Sequence, residues 1–189
     1  MKRPHIKEII STTLIELLEL KRIDEISVSE IAQNSGISTR TFYNYFQDKF
    51  DLCNYIYDNL WDTYCWVDDE SGKRCNLATF FKHSAEVMEK THLSFFEHTL
   101  CHRGQNDMHE HIVKRGVADL LEQLRYTGNE SLINDDSVSM IEFYLYGLEG
   151  MTTLWIKDKS HRELFFMSLD KTRFLPQKLY LALTADPIL

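Results

Sequence analysis

The stretch from Ile26 to Phe46 leaves little freedom of local structure, because it contains two helix starts separated by a glycine. Ser27 and Glu30 read as a capping box. The Ser27 hydroxyl is placed to accept from the Glu30 amide and the Glu30 side chain to return to the Ser27 amide, with Ile26 and Ile31 set for a hydrophobic staple. The helix begun there is predicted to end near Asn34, since Gly36 supplies the backbone freedom of a tight C-terminal turn. Ser38 then caps a third helix, predicted over Thr39–Phe46, with Phe42 and Phe46 pointing inward one turn apart. Ahead of these, Ile6, Ile10, Leu14, Leu17 and Leu18 form one apolar stripe, which predicts a helix from Pro4 to about Leu20. Two short helices joined by a glycine turn and backed by a longer one make a helix-turn-helix.

Such a unit suits DNA, and the overall charge argues the other way. The net charge of −8 disfavours phosphate, which is bound chiefly through Lys and Arg. The acidity is uneven, however: residues 1–52 hold seven basic against eight acidic side chains, while residues 53–189 carry the remaining balance of −7. The N-terminal part is therefore the plausible DNA face. Asp48 beside the third helix lowers its pull on phosphate, so affinity is expected to be modest and sharply salt-dependent.

A helix entering the major groove needs an N-terminal end free of bulk and rich in donors. Ser38, Thr39, Arg40 and Thr41 provide one. Arg40 is the long cation of this helix, able to pair with a guanine or clamp a phosphate, and ranks first for specificity. Thr39 and Tyr43 lie a turn apart and suit a thymine methyl or base edge, whereas Thr41, Asn44 and Tyr45 suit phosphate oxygens. Lys49 is expected to add a backbone contact. Ser27 and Ser29 open the preceding helix, whose free amides suit a phosphate, although a capping role alone explains Ser27 equally well. Lys2 and Arg3 form a basic tip that either reaches the adjacent groove or is a solubilising tail.

The pattern Val28-Ser29-Glu30-Ile31-Ala32, Gly36-Ile37-Ser38, Thr41-Phe42-Tyr43-Asn44-Tyr45-Phe46, Asp48-Lys49 and Leu52 resembles the signature of the TetR/AcrR family over roughly residues 7–54. The resemblance implies a cytoplasmic, mostly repressing transcription factor that binds a palindromic double-stranded DNA operator as a homodimer. It also implies that a small-molecule effector in a divergent helical domain moves the fourth helix and separates the reading heads.

The rest of the chain reads as helical. Aromatic residues at 12% and hydrophobic residues at 43%, with only 7 Gly and 3 Pro, favour long helices over disorder or a β fold. The expected architecture is all-α: a helix-turn-helix domain over residues 1–47, then a larger effector-binding and dimerisation bundle over 48–189. A fourth helix from Asp48 to about Trp66 links the two. Val67–Arg74 reads as an exposed loop. Helices are predicted over Leu77–Lys90, His92–Cys101, Asp107–Leu124, His161–Leu169 and from Pro176 to about Ala185. Between them, Asn134–Ser137 caps a helix whose Val138, Ile141, Leu145, Leu148, Thr152 and Trp155 alternate at three and four residues. Ile141, Leu145, Leu148, Thr152 and Trp155 are the expected dimer face, with Gly147 and Gly150 allowing close backbone approach. Tyr146-Gly147-Leu148-Glu149-Gly150 and Trp155 are similar to the penultimate helix of one TetR-family subgroup, whose last two long helices form a four-helix dimer interface.

For the effector, Tyr57, Trp61, Phe80, Phe81, Phe95, Phe96, Phe143 and Tyr144 are the candidate pocket residues, each also explicable as core, and together they favour an apolar or aromatic molecule. His98, Cys101 and His102 invite a metal, but on a helix Cys101 and His102 point about 100° apart, and no cofactor is expected. Four cysteines without CxxC spacing read as reduced thiols. The N-terminus resembles no signal peptide, and Glu142 and Glu149 interrupt the apolar stretch Val138–Ile156, so no membrane association is expected. No nucleophile motif or phosphate loop argues for an enzyme. The competing reading is a helical protein-interaction adaptor that keeps the helix-turn-helix for packing.

Overall fold

Apolar residues at three- and four-residue spacing make Ile6–Leu18 a helix, α1, that buries Ile10, Thr13, Leu14 and Leu18 along one side. The computed structural model describes residues 6–67, 72–88, 93–100, 108–158 and 174–185. Their regular structure is helical, as an all-α chain requires: α2 Val28–Asn34, α3 Thr39–Tyr43, α4 Lys49–Leu60, α5 Leu77–Glu86, α6 Leu93–Leu100, α7 Met108–Tyr126, α8 Asp135–Lys157 and α9 Gln177–Thr184. The helix expected at His161–Leu169 lies outside the described residues, as do Lys90, His92, Cys101 and Asp107 at the ends of others.

The chain divides into two compact units, one of residues 1–59 with 88–108 and one of residues 60–87 with 109–189. In the first, α1, α2 and α3 close over Ile10, Leu14, Leu18, Ile31 and Phe42, each at most 1% exposed. Phe95 and Phe96 of α6 are buried in this same unit, where α6 packs on α1 and Ser94 Oγ donates to Glu19 at 3.0 Å. Burying each such ring contributes roughly 1.5–3 kcal/mol.

In the second unit α4 does not run on regularly to Trp66. Its end widens into a π turn over Trp61–Cys65, closed by the Trp66 amide on the Trp61 carbonyl at 3.3 Å. The reason is visible at Trp66. Its indole stacks on Phe80 at 4.0 Å and under the Arg74 guanidinium at 3.9 Å, and its Nε1–H donates to Asp119 of α7 at 3.1 Å. Arg74 is consequently not part of an exposed loop: Val67 and Arg74 form an antiparallel bridge, and Arg74 donates to Gln123 Oε1 and the Asp119 carbonyl. Burial raises the Asp119 pKa, against the pull of Arg115, which donates to it at 3.0 Å and also pairs with Asp62.

α8 carries two apolar stripes, and the sequence reading chose the inner one. Ile141 and Trp155 are buried within the chain's own unit, and Leu145, Leu148 and Thr152 are half-buried beside them. Met140, Phe143, Met151 and Leu154 stand outside instead, with Phe143 84% exposed. Within the chain the close approach to a glycine is at α7. A Cβ on Gly147 or Gly150 would meet nothing within 4 Å, whereas one on Gly116 of α7 would lie 3.0 Å from Leu145 Cδ1. Near the other end of α8, Glu149 pairs with the buried His109 and accepts from Thr153 at 2.7 Å.

Candidate nucleic-acid interface

The reading head is built from two capped helices at a fixed turn. Ser27 is the N-cap of α2, its hydroxyl accepting from the Glu30 amide at 3.1 Å. The second half of the expected capping box is absent, because the Glu30 carboxylate turns to Lys21 Nζ at 2.5 Å. α2 ends in a Schellman turn: Gly36 has φ 68°, Ile37 N–H bonds the Ala32 carbonyl and Gly36 N–H that of Gln33. A β-carbon at this φ would be strained, so the glycine fixes the angle at which α3 leaves.

Ser38 caps α3 as expected, accepting from the Thr41 amide at 3.0 Å. The Thr41 hydroxyl is 2.8 Å from the Ser38 hydroxyl, which engages both within the cap. α3 is shorter than the sequence pattern implied and stops at Tyr43. Asn44 and Tyr45 continue in tight turns that carry Phe46 back under Phe42, their ring centroids 5.7 Å apart. What remains outside is a compact face. Arg40, Tyr43 and Asn44 are exposed at three- and four-residue spacing, Thr39 and Tyr45 are half-buried at its margin, and Ser29 is exposed on α2. The Tyr43 ring, 56% exposed, is steadied by an edge contact with Phe42 at 5.6 Å.

The cations of this unit are mostly committed. Lys7 sits over the rings of Tyr55 at 4.5 Å and Phe46 at 5.3 Å, Lys21 holds Glu30, and Arg22 lies 3.9 Å from Asp24. Lys49, expected to contact the DNA backbone, directs its Nζ to the carbonyls of Ile23 at 2.6 Å and Ile26 at 2.8 Å. Among the described residues of the unit, Arg40 is the one Lys or Arg with no ion pair, hydrogen bond or ring contact. Asp48 is spent as the cap of α4, accepting from the Phe50 and Asp51 amides at 2.8 Å.

Residues 10–56 match the model of the bacterial regulatory proteins of the tetR family. Residues 10–56 are thus an N-terminal domain of the TetR type. Over 53 residues the TetR-type domain is 38% identical to the HTH-type dhaKLM operon transcriptional activator DhaS of Lactococcus lactis subsp. lactis (strain IL1403). That alignment spans 28% of this chain and 28% of the relative. Over 95% of its length the chain also superposes on a solved structure, the dihydroxyacetone kinase operon activator DhaS, covering 96% of it with a TM-score of 0.57 at 17% identity, a likeness of fold.

The expected effector residues are divided between the two units. Tyr57, Phe95 and Phe96 belong to the first unit, while Trp61, Phe80, Phe81, Phe143 and Tyr144 belong to the second. Phe143 points outward and lines a surface cleft of about 360 Å³ with Asp136, Ser139, Met140, Phe174 and Pro176. Cys101 and His102 lie outside the described residues. Among the described ones, no three His, Cys, Asp or Glu side chains are grouped to hold a metal, and no helix is long and apolar enough to cross a membrane.

Proposed function

We propose that this TetR-family chain is a DNA-binding transcriptional regulator that reads an inverted-repeat operator as a homodimer under control of a small-molecule effector. The observation that carries the reading is the exposed Arg40–Tyr43–Asn44 face of α3, in which the uncommitted cation stands at a capped helix start. Residues 1–47 act as the reading head and 48–189 as the sensing and pairing part. The relative matched over the head is named an activator. Repression and activation use the same reading head and differ in where the operator lies relative to the promoter, so a reporter with the operator moved across the promoter reads the sign. Selection of bound duplexes from a random pool tests the proposal: an enriched inverted repeat is the expected result, and a pool without sequence preference favours the protein-interaction adaptor.

Pairing is assigned to the outer stripe of α8. Met140, Phe143, Gly147, Met151 and Leu154 recur at three and four residues, the spacing of a helix seam, and Gly147 with the adjoining Gly150 leaves room for a facing backbone. Phe143→Glu places a charge on that seam without touching the core. Sedimentation is expected to show a dimer for the parent and a monomer for the variant; a variant that remains dimeric sinks this assignment.

An effector with an apolar body and one polar group fits the second unit, where Tyr144 Oη is buried and makes no hydrogen bond. Burial alone raises the Tyr144 pKa, keeping the phenol protonated as a donor. An orphaned buried hydroxyl costs about 1–3 kcal/mol. Tyr144→Phe is therefore expected to raise Tm by roughly 2–4 °C per kcal/mol relieved in the effector-free protein. A lowered Tm would mean that the hydroxyl is satisfied.

A further inference from the structure

The outer stripe of α8 is symmetric about one of its own residues. Met140 and Leu154 lie seven residues to either side of Gly147, and Phe143 and Met151 lie four to either side. All four side chains are exposed, Phe143 the most. A helix that pairs with an identical copy across a two-fold axis must be self-complementary, each residue meeting the one equally far beyond the axis. This stripe meets the condition, with Met140 set against Leu154 and Phe143 against Met151. The residue at the centre has no side chain, and a Cβ there would meet nothing within 4 Å of its own chain. The ends of the helix carry the same symmetry in charge. Asp136 stands eleven residues before Gly147 and Lys157 ten after it, both exposed and, among the described residues, without an ion pair or hydrogen bond. We propose that α8 pairs antiparallel with α8 of a second copy, the two-fold axis passing at Gly147, so that Asp136 of each chain meets Lys157 of the other.

The proposal rests on the pairing reading and goes beyond it in fixing the axis, the direction and the register. A parallel pair would set Asp136 beside Asp136 at one end and Lys157 beside Lys157 at the other, like charge on like. The antiparallel pair sets acid against base at both ends, and the two helix dipoles run opposite ways. Slipping the pair by one turn would place Met151 against Ser139 and Leu154 against Asp136, apolar on polar. The 23 residues of α8 span about 35 Å, so the apolar contacts fill the length between the two ion pairs. The Asp136 end also offers Lys157 of the second copy a place to lie. A cleft of about 360 Å³ there is lined by Met140, Phe143, Phe174 and Pro176 beside Asp136 and Ser139. The lysine methylenes pack along those rings while the ammonium reaches the carboxylate. Exposed pairs of this kind set register more than strength.

Two measurements on the full chain test the register. Gly147→Cys and Ser139→Cys are each treated with copper phenanthroline in air, beside the parent as the control for its native cysteines. Position 147 meets itself on the axis, and Gly147→Cys is expected to give a disulfide-linked dimer. Position 139 stands about 24 Å from its counterpart, beyond the reach of a disulfide, and is expected to give no more linked dimer than the parent. Separately, sedimentation reads the dimer dissociation constant of Asp136→Lys, Lys157→Asp and the double variant. Each single reversal sets like charges together at both ends and is expected to weaken pairing about tenfold at low salt, and the double variant to return to within about threefold of the parent. Three results would overturn the register: self-linking at 139 as readily as at 147, no self-linking at 147 in a variant that sediments as a dimer, or a double variant that pairs no better than the single ones. In each case Phe143→Glu still decides the pairing reading by itself. If Gly147→Cys does not pair, the charge reversals decide. A monomeric parent overturns both the register and the pairing.

Discussion

Replacing Arg40 by alanine is expected to remove sequence selection while leaving the fold intact. A bidentate contact from arginine to guanine carries about 1–3 kcal/mol of discrimination, which in a symmetric dimer is lost twice. Anisotropy titration of the selected duplex should therefore show a fall of at least about fivefold for each head. The thermal midpoint should not drop, because Arg40 is exposed and holds nothing in place, and alanine is the better helix former. Arg40→Lys separates the two chemistries available to the side chain: a phosphate clamp survives the exchange, and a base-reading fork does not. Equal binding of selected and random duplexes by parent and Arg40→Ala would remove Arg40 from the interface. If Arg40 clamps a phosphate, its loss also lowers the slope of log affinity against log salt by about 0.9 for each head.

The parts of this molecule that were legible in the sequence are those in which chemistry acts between near neighbours along the chain. Ser27, Gly36, Ser38 and Asn134 act within four residues of themselves, and each is found capping or turning as its type predicts. Failures of the reading arise where a side chain had two partners to choose from. Glu30 could close its own cap or pair with Lys21, nine residues earlier, and the ion pair prevails. The Lys49 ammonium meets backbone carbonyls more than twenty residues away, and nothing in its neighbourhood along the chain announces them. α8 is apolar on two sides, so periodicity located the helix and could not say which stripe faces its own core. Gly116 marks a close approach to Leu145 within the chain, yet a lone glycine in a polar helix has no partner that the sequence identifies. Phe95 and Phe96 lie in the first unit, and nothing in their spacing says which core they join. Aromatic content marks a core without saying which one.

Trp66→Ala is expected to be the most destabilising single change in the second unit. Truncating a buried tryptophan costs about 3–5 kcal/mol from lost burial and the cavity left behind, and here three further contacts fail together. Phe80 loses its stacking partner, the Arg74 guanidinium loses the ring it covers, and Asp119 loses the Nε1–H donor. Asp119 would still hold Arg115, so the buried carboxylate is not stranded, which sets a ceiling on the loss. Trp66→Phe divides the terms. It keeps most of the stacking between Phe80 and Arg74 and removes only the indole donor, with an expected cost of about 1–3 kcal/mol for the hydrogen bond to a charged acceptor. Denaturant titration should rank the parent above Trp66→Phe and Trp66→Phe above Trp66→Ala. A Trp66→Ala midpoint within error of the parent would show that this joint does not hold the end of α4. The ranking also bears on regulation, because Trp66 closes the π turn where α4 leaves its regular path. If α4 carries the effector signal, Trp66→Phe should bind the selected duplex as the parent does and respond less to effector, since it loosens the joint without altering the reading face.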